Sequence, residues 1–311
     1  MSHALRCDTS LSAGPLAWDE CDCPLCGSHR WRPWLEAPDR SSGGEGFWFM
    51  IVRCGECRLC FTNPRPSPEA MARFERRDES APAVGHGEDK LRWWHRLPGW
   101  ENMRRYLRRH GRGRLLDVGC GSGDFVLRMR RQGWDATGLE PDFGRLDRLR
   151  ERQVPVLAGS LNWTPIPERS FDVITIWNHL ERERDPLEYL RRAWHLLAPG
   201  GKLVVRTPNV DSLSFRWLGS AWAGLDLPRR LVHFTPATLR LMLVRAGFDS
   251  IQVRMQRRAS WMRQSARFAA RQPNASRAAW LHGKTLSHLA SWYAHFTRQS
   301  DVMLAIAVKN G

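Results

Sequence analysis

Six cysteines lie between Cys21 and Cys60, and four of them form two C-x-x-C pairs, Cys23-Pro24-Leu25-Cys26 and Cys54-Gly55-Glu56-Cys57. A C-x-x-C turn lets two thiolates point at one ion, and two such turns complete a tetrahedral sulfur site. The set predicts a structural zinc ion, because four thiolates leave no position open for water or substrate. Cys21 and Cys60 stand close enough to substitute for a ligand. A second run able to do chemistry is Asp117-Val118-Gly119-Cys120-Gly121-Ser122-Gly123. Glycines there permit positive φ and a close approach of ligand to backbone. The spacing is G-x-G-x-G, not the G-x-G-x-x-G of dinucleotide enzymes. Asp117, two residues before the first glycine, would oppose a pyrophosphate and suits a ligand carrying positive charge. Glu140 closes the following strand, where a carboxylate can take both hydroxyls of a ribose.

The elements that must position these residues are legible around them. Trp31–Ala37 and Phe47–Arg53 predict short strands bearing the cysteine turns, a zinc ribbon that exits through Asn63-Pro64-Arg65-Pro66. Met71–His110 reads as helical and basic, interrupted at Ala81–Gly87. From Arg114 onward strands alternate with helices, the pattern of a parallel sheet covered on both faces. Strands are expected at Leu115–Gly119, Ala136–Glu140, Val154–Ala158, Phe171–Trp177 and Lys202–Thr207, with helices at Phe125–Gln132 and Asp185–Ala198. Val302–Val308 reads as a last strand, after a long stretch, Arg257–Ser300, with large apolar residues at helical spacing. The expected fold class is α/β. An N-terminal zinc-ribbon-like module would occupy residues 1–66, a helical linker and cap 67–110, and the α/β domain 111–311, with a helical insertion over 257–300.

The run Leu115–Gly123 with Glu140, then Phe171-Asp172-Val173-Ile174, then Leu197-Ala198-Pro199-Gly200-Gly201, resembles the class I S-adenosylmethionine-dependent methyltransferases in order and spacing. The resemblance implies a Rossmann-like seven-stranded methyltransferase sheet with helices on both faces, its last strand inserted antiparallel, and S-adenosylmethionine as cofactor. It implies that Asp117, Gly119, Gly121 and Gly123 cradle the methionine side and that Glu140, with Pro141 beside it, holds the ribose. Ser160 and Leu161 would edge the adenine, and Trp177 and Asn178 would face the reacting methyl. The segments Thr175–Glu181 and His233–Leu239 are similar to those of small-molecule and sugar-directed methyltransferases, several of which carry a two-C-x-x-C module. The implied acceptor is therefore a small molecule or a sugar-containing one. His179 and His233 can take a proton near neutral pH; a packing histidine is the competing reading for each. Related sequences carry His where Arg182 and Arg230 stand, a change that would favour an anionic acceptor.

Charge and composition bound the remaining readings. Lys+Arg number 48 against 32 Asp+Glu, a net charge of +16, and all but four of the basic residues are arginine. With 42% hydrophobic and 26% charged residues the chain has material for a core, which excludes disorder as a description of the whole. No apolar run approaches the roughly 20 residues of a spanning helix. Met1–Glu20 lacks a signal-peptide layout, so the expected location is cytoplasmic. The charge keeps a nucleic-acid methyltransferase open, and the lack of an evident base keeps open a cofactor-binding protein without catalysis. The Asn/Asp-Pro-Pro-aromatic motif of base N-methylation is absent. Arg257–Ser300 has two readings, a lid over the acceptor side and a peripheral contact with anionic lipid.

Overall fold

A computed structural model of the chain describes residues 16–39, 47–75, 113–271 and 281–310. Of the helical stretch expected over Met71–His110, Met71–Glu75 lies in a helix, and the rest, with the interruption at Ala81–Gly87, lies outside the described residues. The N-terminal part holds β1 (Trp18–Asp19), β2 (Trp31–Pro38), β3 (Trp48–Cys54), β4 (Cys60–Thr62), β5 (Arg65–Pro66) and α1 (Pro68–Glu75). β2 and β3 pair antiparallel, with a register shift between Pro33 and Leu35, as expected where a proline has no N–H to give the ladder. The Cys23–Cys26 turn precedes β2 and the Cys54–Cys57 turn joins β3 to β4, which is the ribbon arrangement the sequence predicts.

The remainder alternates strand and helix. β6 (Arg114–Val118), α2 (Asp124–Arg131), β7 (Asp135–Glu140), α3 (Phe143–Glu151), β8 (Val156–Ala158), β9 (Phe171–Trp177), α4 (Pro186–Leu196) and β10 (Leu197–Pro208) come first. α5 (Leu213–Leu218), β11 (Val232–His233), α6 (Pro236–Arg245), β12 (Asp249–Gln256), α7 (Ala259–Ala270), α8 (Lys284–Phe296) and β13 (Val302–Val308) complete it. The main sheet has seven strands in the order β12-β13-β10-β9-β6-β7-β8. β13 is antiparallel to both of its neighbours, and the ladders from β10 through β8 are parallel. The Rossmann-like α/β expectation is met, inserted last strand included. Several boundaries move by a residue or two, and one by more: β10 starts at Leu197, not Lys202, and the Gly200–Gly201 backbone bonds to Lys309 at the β13 end.

Both faces of the sheet are covered, and alternation within each strand sends side chains to opposite layers. Leu115, Val173 and Trp177 pack with Phe125, Val126 and Met129 of α2. Leu116, Ile174 and Ile176 pack with Leu190, Ala193 and Leu196 of α4. Helix starts are set locally. Asp185 accepts from Glu188 N at 3.1 Å ahead of Pro186, and Thr235 and Thr238 form a reciprocal cap before α6.

A four-stranded sheet in the order β11-β4-β3-β2 joins the two parts of the chain. Val232 pairs with Phe61 and His233 with Cys60, antiparallel. The N-terminal apolar residues Leu25, Val52, Leu59 and Phe61 belong to the same buried cluster as Leu116 and Ile176. The module is thus packed into the core of the α/β domain.

Candidate functional site

The glycine turn leaves the C-terminal end of β6 and enters α2. Gly119, Gly121 and Gly123 all have positive φ, at 64°, 61° and 75°, a region that disfavours any residue with a Cβ. A Cβ at Gly123 would lie 2.6 Å from Val154, whereas at Gly121 it would meet nothing within 4 Å. Gly123 packs the turn down, and Gly121 leaves open space above the backbone, a cradle with room for a ligand. The N–H groups of Gly119 and Cys120 donate to Leu139 O, tying the turn to β7. Gly121 N donates to Glu140 Oε2 at 2.7 Å, and Asp142 N donates to Oε1 at 3.2 Å. Glu140 is 3% exposed, at the end of β7 with Pro141 half-buried beside it. Asp117 is fully buried and accepts from Thr175 Oγ1 at 2.8 Å. The carboxylates and glycines that the sequence singles out therefore converge at the C-terminal ends of β6 and β7.

The remaining expected cofactor contacts divide. Ser160 lies in the turn after β8, where its carbonyl accepts from Thr164 N and Oγ1. Leu161 next to it is fully buried in the core, so only its backbone is left to edge a ligand. Trp177, expected at the reacting methyl, is 3% exposed and lies edge-on to Phe125, ring centroids 5.3 Å apart. The Arg206 guanidinium sits 5.4 Å over its ring. Trp177 packs beneath the cleft, because its place in β9 turns it toward α2. Asn178, also buried, holds φ +51° just past the end of β9, a backbone state of the kind that clusters at functional sites.

Two aromatics that the sequence reading did not single out complete this side. Phe143 and Trp163 are 63% and 59% exposed, and their rings are nearly parallel, 11° apart in tilt with centroids at 6.5 Å. They follow β7 and β8 directly. Their signal in the sequence is a large aromatic in each of two otherwise polar turns.

His179 has its imidazole against the turn, 3.0 Å from where a Gly119 Cβ would stand. Its Nε2 is 3.0 Å from Glu183 Oε1, an ion-pair distance, with both side chains about one-fifth exposed. Tyr189, fully buried, meets the side chains of Ser160 and Glu183; burial, then Glu183, holds its phenol well above the ordinary value. It keeps its proton between those two side chains.

His233 is placed differently from the loop position the sequence suggests. It is in β11, opposite Cys60, with Nε2 3.2 Å from Thr62 Oγ1. Burial and the Arg230 charge push its pKa down to about 3, so the ring stays neutral. Arg182 and Arg230 likewise face inward. Arg182 bonds Asp226 at 3.0 Å, and Arg230, 1% exposed, has Nε 3.4 Å from Glu181 Oε1. Their charges are met by carboxylates of the same chain.

The second cluster is the sulfur set. Cys23, Cys26, Cys54 and Cys57 bring their Sγ atoms within 4.8 Å of one another. Cys23 Sγ is 3.4 Å from Cys57 Sγ, and Cys26 Sγ is 3.5 Å from Cys54 Sγ. Tetrahedral zinc with bonds of about 2.3 Å needs sulfurs about 3.8 Å apart, so the donor set fits that ion. The described cysteines are all free thiols. Cys21 and Cys60 stand outside the cluster; burial pushes Cys60 up to about 12, and its thiol lies near Arg58 O.

Residues 91–253 match the family model described as a methyltransferase domain. A ubiquinone biosynthesis O-methyltransferase of Psychrobacter arcticus is 33% identical over 155 residues, which is 43% of this chain and 58% of the relative. A tRNA U34 carboxymethyltransferase of Idiomarina loihiensis is 31% identical over 188 residues, 52% of this chain and 56% of the relative. The chain thus spans little more than half the length of the curated relatives it matches. Among solved structures, an S-adenosylmethionine-dependent methyltransferase of Archaeoglobus fulgidus is similar with a TM-score of 0.46 and 18% identity, over 71% of this chain and 99% of that one. The matched segment carries the glycine turn, Glu140 and the parallel strands of the sheet, and on that match the chain belongs to the methyltransferase-domain family.

Proposed function

We propose that the cleft over β6 and β7 binds S-adenosylmethionine and that the protein moves its methyl group to a small-molecule or sugar-containing acceptor. The observation that carries this reading is the buried Glu140 carboxylate at a strand end, beside the open space over Gly121. When bound, the cofactor supplies a methyl group on a positively charged sulfur. Glu140 would hold the ribose hydroxyls, and the charge of Asp117 would favour the cationic methionine end. The backbone of Gly119–Gly123 would cradle that end. Phe143 and Trp163 would flank the adenine, with Ser160 and the Leu161 backbone at its edge. Asn178 closes β9 where the acceptor would meet the cofactor, and Trp177 supports that floor from below. Holding both partners aligned is the main source of rate in such a transfer. His179, fixed by Glu183, is the group we assign to take the acceptor proton. His233 is a less suitable base, because it is buried between the two parts of the chain and its pKa of about 3 makes it a poor proton acceptor.

We read the four thiolates as a structural zinc site, and the chain as a ribbon over 1–66, a linker over 67–110 and a catalytic domain over 111–311. The inward pairing of Arg182 and Arg230 weakens the sequence argument for an anionic acceptor. A nucleic-acid acceptor is the second reading, supported by the net charge of +16 and by the tRNA-directed name of one relative.

Calorimetry on the zinc-loaded protein tests the central reading. S-adenosylmethionine should bind, and Glu140→Ala should weaken it about 10- to 100-fold, the loss of two hydrogen bonds to a charged group. Absence of binding to the folded protein would sink it; binding with no turnover on any acceptor would favour a non-catalytic role. A steep salt dependence of binding to random nucleic acid would move the acceptor toward the second reading.

A further inference from the structure

The helix before the last strand is apolar on the side that faces water. α8 packs against α7 through small residues: Ser287, Ser291 and Ala294 are at most 3% exposed. The opposite side presents Leu286, Leu289, Trp292, Tyr293 and Phe296 at 44%, 61%, 46%, 57% and 77% exposure. At 100° per residue these five fall within about a third of the helix circumference. Trp292 and Phe296 stack on each other, centroids 5.5 Å apart, and the Arg257 guanidinium covers Trp292 at 4.1 Å. A core-facing helix has its large residues inside; here the large ones are outside and the small ones inside.

The charge of the surrounding segment says what such a stripe would meet. From Ser250 to Ser300 the sequence contains no Asp or Glu, although the whole chain has 32, and it contains eight Arg and one Lys. Lys284 and His288, both exposed, flank the stripe on α8. Exposed Leu, Trp, Tyr and Phe in a basic segment that carries no acidic residue, with Lys284 and Arg257 beside the stripe, is the pattern of a helix that lies in the interface of an anionic bilayer. With 13 residues, α8 is about 20 Å long and too short to cross the roughly 30 Å hydrocarbon layer. No helix among the described residues is long and apolar enough to do so.

We infer that α8 is a membrane-surface docking site, its Leu286–Phe296 stripe entering the headgroup region of anionic phospholipid and the arginines of the same segment meeting the lipid phosphates. A second copy of the chain is a poorer occupant, since a two-fold contact would set the acid-free segment against itself. Nucleic acid is poorer too: bases stack on aromatic rings, and Leu286 and Leu289 have nothing to offer phosphates. The inference is independent of the cofactor reading and adds to it a location for the cleft, at a lipid surface.

The experiment is co-sedimentation of the full zinc-loaded chain with vesicles of phosphatidylcholine alone and of phosphatidylcholine mixed with phosphatidylglycerol. Binding to the mixed vesicles is expected, falling with salt. Leu289→Asp and Phe296→Asp should each lower the partition coefficient by about tenfold or more, with circular dichroism and S-adenosylmethionine binding unchanged. Lys284→Glu should reduce it by a few-fold. The inference fails if the chain ignores phosphatidylglycerol, or if the two stripe variants partition like wild type. It also fails if Phe296→Asp abolishes a concentration-dependent dimer, or nucleic-acid binding, in protein that does not sediment with lipid.

Discussion

Two walls of the molecule are built in opposite ways. The first, around the glycine turn from β6 through the turn after β8, is local: Asp117, Gly121, Glu140 and Ser160 lie within one continuous stretch of alternating strands and helices. The second, where the N-terminal strands meet the α/β domain, is assembled from afar. Thr62 meets His233 and the Arg230 carbonyl across about 170 residues of chain, and Leu231 N donates to Glu181 O. Arg229 reaches Asp39 at 2.6 Å, Asp226 at 3.0 Å and Phe74 O at 2.8 Å. Arg184 bonds Asp19. A local wall stands on consecutive strand–turn–helix units, whereas an assembled one depends on every distant segment that closes it.

That difference sets where perturbation should be felt. The largest effect should come from the metal site. Chelation, or Cys54→Ser, should unfold the β2–β4 hairpin, since a structural zinc contributes about 10–16 kcal/mol of folding energy to small modules. Hydrogen exchange should then rise sharply at Leu231–His233 as β11 loses its partner, and much less at Leu115–Val118. Equal protection losses in β6 and β11 would erase the contrast between the walls. Next in size, Arg229→Met should cost about 3–5 kcal/mol in urea unfolding, by removing the cation from buried Asp39 and one of two from Asp226, which keeps Arg182. The double change Arg229→Met with Asp39→Asn should recover part of that loss.

Acid should act on the assembled wall through His233. An unfolded histidine titrates near 6.5 and the folded one near 3, so the unfolded chain takes up the proton first. Stability from this group is full above 6.5 and is lost as pH falls toward 3, on the order of 5 kcal/mol at 1.4 kcal/mol per unit. Asp301, buried and raised to about 6 from 3.8, has the opposite slope: its contribution is full below 3.8 and is lost as pH rises through 6. His233→Gln should flatten the acid limb, leaving the Asp301 slope visible in pH-dependent thermal melts. The smallest effect belongs to the local wall. Gly121→Ala has room for its methyl but must hold φ +61°, so a loss of about 1 kcal/mol is expected. Cofactor affinity should fall further than stability does.

The same division explains what could be read from the residues alone. Leu115–Gly123 was readable because strand, turn and helix are contiguous and their periodicities change within a few residues. The four metal-set cysteines were readable because C-x-x-C spacing encodes a ligand turn directly. β11 was not readable: two residues carry no periodicity, and their partner is Phe61–Cys60. Without that pairing, His233 looks like a loop residue near an active site. Trp177 was misjudged by orientation, since a strand end offers two faces and only the packing of α2 shows which one it takes. Arg182 and Arg230 looked available until Asp226 and Glu181 were found against them. Phe143 and Trp163 are remote in sequence and become a pair only when β7 and β8 lie side by side. Helical spacing in Leu286–Phe296 was plain, but spacing alone cannot tell which side is wet.

The pairing of β11 with β4 also bears on how the chain is made. During synthesis the ribbon emerges early, yet the strand that completes its sheet lies about 170 residues downstream. At roughly 5–20 residues per second the ribosome takes on the order of 10–30 s to deliver it. For that interval β4 has an open edge, and an open edge is a template for the wrong partner. The nascent ribbon must therefore rely on what holds its cysteine turns together and on whatever shields that edge until Val232 and His233 arrive.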